Sequence, residues 1–208
     1  MLTKTCFESG VSLVELIVAL TIVGFLFGVA VPNFKDWIIG AQIRTAAEAT
    51  LSGLQLARAE AARRNTQVMF QFMDTATNAC TLSTTGTNWV ISLSAASGKC
   101  ETTPADPPLP PTAQDPANPY IIQARSSAEG SSLISVSTNQ ANVTFNGLGR
   151  LNTSPAASVT INFSSPSNGT CKSGGGSLRC LRVTVSSSGQ IRMCDPAVTS
   201  ATDMRICQ

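Results

Sequence analysis

Residues 10–32, GVSLVELIVALTIVGFLFGVAVP, form an apolar run with one charged side chain, Glu15, near its start. The stretch 11–31 holds 21 residues, about 31 Å as an α-helix, which matches the hydrocarbon core of a bilayer. The run therefore predicts a membrane-spanning helix. A secretory signal has a basic end, a short apolar stretch and a small-residue cleavage site after it. Here the order is reversed, because Gly10 precedes the apolar stretch, so the segment is long enough to span and be retained. A carboxylate in lipid costs roughly 2.5–3.5 kcal/mol on insertion scales, which makes it a functional candidate with a partner to be named. Two readings fit Glu15: a helix-end residue reaching back to the interface, or a charge kept for a cationic partner.

The 208 residues give room for one domain plus an appendage. With 14 Lys+Arg against 12 Asp+Glu, nothing global argues for nucleic acid or anionic membrane as the main partner. The charge is unevenly spread, however. Residues 11–139 carry seven basic and nine acidic side chains, whereas 140–208 carry six basic (Arg150, Lys172, Arg179, Arg182, Arg192, Arg205) and two acidic ones (Asp195, Asp203). Histidine is missing, which removes the Ser-His and Cys-His dyads and the usual zinc ligand. An enzyme is thereby disfavoured, and no cofactor or metal is implied. The Asp residues lack a calcium-loop spacing. The stretch SGGGS at 173–177 follows Lys172 instead of preceding Gly-Lys-Ser, so it reads as a flexible loop and not a phosphate cradle. Asn142, Asn162 and Asn168 match the glycosylation pattern but read as strand and turn residues.

Six of the seven cysteines lie beyond residue 79, the seventh being Cys6. An even number in a Ser/Thr/Gly-rich region after a membrane segment suits disulfides in an oxidising compartment. They fall as sequence neighbours, Cys80/Cys100, Cys171/Cys180 and Cys194/Cys207. Six cysteines admit on the order of fifteen connectivities; the local pairing would close loops across hairpins and tie the tail to the last strand, each bridge worth roughly 2–4 kcal/mol.

After Pro32 the helical pattern continues. Ile43, Ala47, Leu51, Leu54 and Ala61 make one apolar stripe, and Arg44/Glu48 and Glu60/Arg64 are i,i+4 pairs assigned to the exposed side. The Ala-rich sequence favours helix, Asn65 is a C-terminal stop, and Pro32 should kink the helix by removing one backbone donor. Residues 12–64 then make one helix of about 80 Å. Beyond Asn65 the period becomes two, with candidate strands at 67–73, 89–93, 120–125, 133–137, 142–145, 158–163, 181–186 and 190–194. The fold class is α+β, an antiparallel β head on a helical stem, divided into 1–10, 11–31 (transmembrane), 32–65 (amphipathic) and 66–208 (head). The Pro-rich stretch 101–119 reads as an extended spacer loop.

The order Lys4, Gly10, Val11-Ser12-Leu13-Val14-Glu15-Leu16, then an apolar helix with Gly24 and Pro32, resembles the type IV pilin and pseudopilin leader. It departs from the usual pattern at Val11, commonly Phe or Met. The resemblance implies that a prepilin peptidase cuts after Gly10, that Val11 is N-methylated, and that Cys6 leaves with the leader. It also implies that Glu15 pairs with the N-terminal amine of a neighbouring subunit, a registration device costly alone and relieved by assembly. Gly24 and Pro32 would soften the helix locally. The segments LQLARAEAARRNTQVMFQF and VTFNGLGRL resemble the GspH/FimT/FimU branch of minor pilins, and SSSGQIRMCDP looks more like the FimU/FimT tail than the secretion pseudopilin. Gly147 and Gly149 read as a tight turn.

The resemblance implies a single-pass protein of the bacterial inner membrane with a periplasmic head, incorporated near the tip of a pilus at the cell surface to prime assembly. Its partners would be other major and minor pilins, the prepilin peptidase and the inner-membrane assembly platform, in support of twitching, adhesion or DNA uptake. Two alternatives share the architecture: a type II secretion pseudopilin and a DNA-binding pilin. Some FimT-type pilins bind DNA through a GRxR element; here Gly189-Gln190-Ile191-Arg192 has glutamine in place of the first arginine. Arg179, Arg182, Arg192, Arg205 and Lys172 could still form a phosphate-attracting patch, although no aromatic platform accompanies them and a solvated β surface is the plainer reading.

Overall fold

The computed structural model describes residues 11–104, 115, 117–129, 133–152 and 158–207; residues 1–10, most of the Pro-rich loop and the side chains of 27–33, with the expected kink at Pro32, lie outside the described residues. A helix α1 runs over Leu13–Arg64, 52 residues. At its start the Ser12 hydroxyl accepts the Glu15 backbone N–H at 3.2 Å, an N-cap of Ser-x-x-Glu type that also sets a carboxylate in the first turn, at the positive end of the helix dipole. At its end Asn65 turns left-handed, φ 48°. The Asn65 and Thr66 N–H groups donate to the Ala62 and Ala61 carbonyls at 3.3 and 3.2 Å, the paired bonds of a Schellman stop.

The chain divides into two compact units, Met1–Ile38 and Ile39–Gln208. In the first, the side chains from Val11 to Leu26 are exposed. Among the described residues no helix is long and apolar enough to cross a membrane; the side chains of the last five residues of the stretch 11–31 lie outside the described set.

In the second unit, α1 buries Ile39, Ile43, Ala46, Ala47, Thr50, Leu54, Ala57 and Ala61, a stripe at spacings of three and four. Eight strands follow: β1 Val68–Met73, β2 Asn88–Ser92, β3 Ile121–Arg125, β4 Ser135–Thr138, β5 Asn142–Phe145, β6 Val159–Ser164, β7 Leu181–Val185 and β8 Ile191–Cys194. They lie close to the candidate strands read from the sequence; the largest shift is at β4, read from 133 and found from Ser135. The head is two antiparallel four-stranded sheets, β3-β2-β1-β5 and β4-β6-β7-β8, and one apolar cluster joins both to the helix stripe.

β6 and β7 alternate cleanly, with Val159, Ile161, Phe163, Leu181, Val183 and Val185 turned inward. β1 is buried on both faces, because the chain after it folds back over the outer side and encloses a second cluster of Met73, Cys80, Val90, Ala96, Cys100 and Ile121. The polar residue in that strand, Gln71, is fully buried. Its amide donates to Ser92 Oγ at 2.7 Å and to the Ser94 carbonyl at 3.3 Å, and it accepts the Ala96 N–H at 3.2 Å. The disulfides join the local pairs: Cys80–Cys100, Cys171–Cys180 and Cys194–Cys207.

One expectation needs correcting. Arg44–Glu48 is an exposed pair at 2.7 Å, but Glu60 and Arg64, joined at 2.8 Å, keep only 15% and 16% of their side chains exposed. Hydrogen bonding to Arg63, and then to Arg64, holds the Glu60 carboxyl below its ordinary range.

Three glycines fix the junction of helix and sheets. A Cβ at Gly147 would lie 2.6 Å from Asn65 Oδ1. Gly149 accepts the Arg58 Nε–H at 3.1 Å through its carbonyl. Gly189, φ 82°, would place a Cβ 1.9 Å from that same carbonyl oxygen. Gly189→Ala should therefore cost about 2–4 kcal/mol, from left-handed strain plus displacement of the junction, and Gln71→Leu about 1–3 kcal/mol, from orphaned polar groups. Urea unfolding checks both; losses under about 0.5 kcal/mol would contradict these packing roles.

Candidate functional site

The first candidate region is the start of α1. Glu15 is exposed and, among the described residues, no side chain pairs with its carboxylate; its backbone N–H is satisfied by Ser12. Around it stand Leu13, Val14, Leu16, Ile17, Val18 and Leu20, all at least half exposed. This is an uncovered apolar surface with one charge, an arrangement that favours transfer to lipid or to other apolar helices over water. A Cβ at Gly24 would meet nothing within 4 Å, so no packing within this chain requires a glycine there. Gly10 lies outside the described residues, as does the Pro32 side chain; Val11, exposed, is the first residue described.

The second candidate region is the net-basic C-terminal third, where the structure separates the five cations. Arg182 on β7 and Arg192 on β8 share the outward face of the second sheet: Thr184 stands opposite Arg192 and two residues from Arg182 in the β7–β8 register. Together with Ser158, Thr160 and Gln190 they line a shallow polar depression. The Arg182 Nε–H donates to Asn162 Oδ1 at 2.7 Å. Lys172 opens a short 3-10 turn, Lys172–Gly174, with no buried residue.

The other two arginines are engaged elsewhere. Arg179 Nε meets Asp195 Oδ2 at 2.7 Å, with Asp195 buried. Arg205 grips Asp203 with two bonds, Nη2 to Oδ2 at 2.6 Å and Nε to Oδ1 at 3.0 Å. The Asp195 N–H donates to the Arg205 carbonyl at 2.8 Å, and Cys194–Cys207 closes the same loop. Arg205 pulls the Asp203 carboxyl from its ordinary 3.8 down to about 2, and Arg179 adds a smaller electrostatic effect. Each acid of this third therefore pairs with one of its cations, while the Asp195–Arg205 backbone bond and the Cys194–Cys207 bridge tie the tail to the end of β8. Sequence reasoning assigned neither arginine a partner: Arg179 meets Asp195 across 16 residues, whereas the Asp-x-Arg spacing of Asp203 and Arg205 was a local signal.

A helical segment followed by an antiparallel two-sheet head with short disulfide loops defines the type IV pilin class of fold. A family model described as Type II transport protein GspH matches residues 46–189, more than half of the chain, and the chain belongs to that family. No curated protein matches it. Among solved structures, a crystal form of the type IV minor pilin FimU from Pseudomonas aeruginosa (strain PAO1) aligns at a TM-score of 0.50 with 17% identity, covering 77% of this chain and 94% of that one. A second crystal form of that FimU covers 76% and 97% respectively, at 17% identity and a TM-score of 0.47. At that identity the likeness concerns the fold alone.

The Asp203–Arg205 pair gives a pH dependence with a definite sign. The folded Asp203 pKa lies below the unfolded one, so its contribution is present above about pH 4 and is lost as pH falls through about 2. An NMR titration should place the Asp203 midpoint near 2, and Arg205→Ala should return it toward 3.8. A midpoint near 3.8 in the unaltered protein would contradict the Asp203–Arg205 pair.

Proposed function

We propose that this chain is a minor pilin of a type IV pilus, a structural subunit held in the bacterial inner membrane by residues 11–31, with its head in the periplasm until it joins the fibre near the tip and primes assembly. The observation that carries this reading is the apolar surface of α1 left uncovered around Glu15, on a chain whose head belongs to the GspH family. In water that surface is unfavourable, in lipid it is accommodated, and in a bundle of like helices it is buried. Glu15 then favours the bundle over lipid, because a neighbouring subunit's N-terminal amine neutralises a charge that is costly in hydrocarbon.

Cleavage after Gly10 by a prepilin peptidase, with methylation of Val11, would create that amine and remove Cys6. The first position of the mature helix then stands four residues before Glu15, one turn, so an amine on a subunit displaced along the bundle can reach the carboxylate. Gly24 and Pro32 weaken the backbone ladder of the same helix and give it room to adjust as neighbours change. Twitching, adhesion and DNA uptake are the roles this proposal leaves to the fibre.

The family description, Type II transport protein, favours a second reading with the same stem chemistry, a pseudopilin of a type II secretion apparatus. The machinery that co-purifies with the tagged chain separates the two. Direct DNA contact would rest on Arg182, Arg192 and Lys172, since Arg179 and Arg205 are held by carboxylates; loss of two cations from the patch lowers its phosphate affinity and salt dependence together.

The mature N-terminus tests the proposal. Mass spectrometry of the protein from its own cells should find a chain starting at methylated Val11; a chain retaining residues 1–10 overturns it.

A further inference from the structure

Two large aromatic side chains on α1 have no place in the head. Phe34 and Trp37 are 61% and 68% exposed, and their rings stack with centroids 5.8 Å apart and planes 24° from parallel. The chain's other tryptophan, Trp89, and its one tyrosine, Tyr120, are buried. Between the exposed pair lie Lys35 and Asp36. The segment is therefore too polar for hydrocarbon and too aromatic for bulk water, a combination suited to the headgroup layer of a bilayer.

Its distance along the helix fits that layer. Phe34 and Trp37 are 23 and 26 residues beyond Val11, about 34 and 39 Å of helix axis. An average tilt of about 20° shortens these to about 32 and 37 Å across the membrane. With Val11 at one edge of a core about 30 Å thick, both rings fall about 2–7 Å beyond the other edge, inside a headgroup layer about 5–7 Å deep.

We propose that Phe34 and Trp37 form an aromatic anchor in the outer lipid–water interface that fixes the depth at which α1 rides before assembly. The proposal rests on the membrane-inserted reading above. The partner is the phospholipid headgroup region: ring edges and the indole N–H face the carbonyl and phosphate layer, while Lys35 and Asp36 reach water. Leaving the membrane then requires withdrawing both rings from that layer, so the anchor helps retain the subunit until the fibre takes it up.

The test uses full-length protein in phosphatidylcholine vesicles brominated either near the headgroup or near the acyl-chain end. Because Trp89 is shielded inside the head, lipid quenching reports Trp37. Shallow bromine should quench at least about twofold more than deep bromine, as for an interfacial indole, and Trp37→Phe should abolish the lipid-dependent part. Stronger quenching by deep bromine overturns the anchor, because the ring would sit in hydrocarbon. Protein that floats with the vesicles but shows no quenching also overturns it and assigns the pair to a protein partner, leaving the membrane reading intact. Protein that fails to float overturns both.

Discussion

The head depends on how closely α1 approaches its first sheet. The helix face that meets the strands is built from Ala46, Ala47, Ala57 and Ala61 with few larger residues between them, and at Gly53 even a methyl group would be crowded: a Cβ there would lie 2.9 Å from Phe70 Cε2 and 3.0 Å from Trp89. Volume missing from the helix is supplied by the sheet, where Phe70 stacks on Trp89 and meets Phe72 edge-on, both at 5.1 Å. Small against large across the interface is how a close-packed core is filled without voids. The second sheet shares no ladder with the first among the described residues, so helix packing, the common apolar cluster and the glycine junction at Arg58, Gly149 and Gly189 hold the two together.

Strand positions were legible because β6 and β7 bury every second side chain, so the chemistry of the sequence alternates as the backbone does. β1 was legible for another reason. It is buried on both faces and gives no alternation, but its aromatic residues and the break at Asn65 mark it. The division into two sheets was not legible, since it depends on β5 reaching β1 across some seventy residues while β4 and β6 pair elsewhere. Gln71 was missed because its partners, Ser92 at the end of the neighbouring strand β2 and Ser94 and Ala96 in the loop after it, meet it only once the strands pair. The cap at Ser12 was missed although the sequence displayed it as Ser-x-x-Glu.

Charge proved the least legible property. Counting side chains made the C-terminal third net basic, but Asp195 and Asp203 pair with Arg179 and Arg205. Glu60 and Arg64 looked like an ordinary exposed helix pair, yet the head covers most of both. A linear sequence states how many charges exist; which of them face water is decided by chain segments far away.

These features assign different work to the two parts of α1. From Ile39 onward its apolar stripe is consumed by the head, whereas from Leu13 to Leu26 apolar side chains remain exposed with a single carboxylate among them. On the proposed function, this charge makes assembly with other subunits better than remaining in lipid. The most direct measurement is the amount of Glu15→Ala protein in sheared surface fibres relative to the membrane fraction. The variant should be processed normally, accumulate in the membrane and be strongly depleted from the fibre; incorporation at the level of the unaltered protein would contradict this role of Glu15.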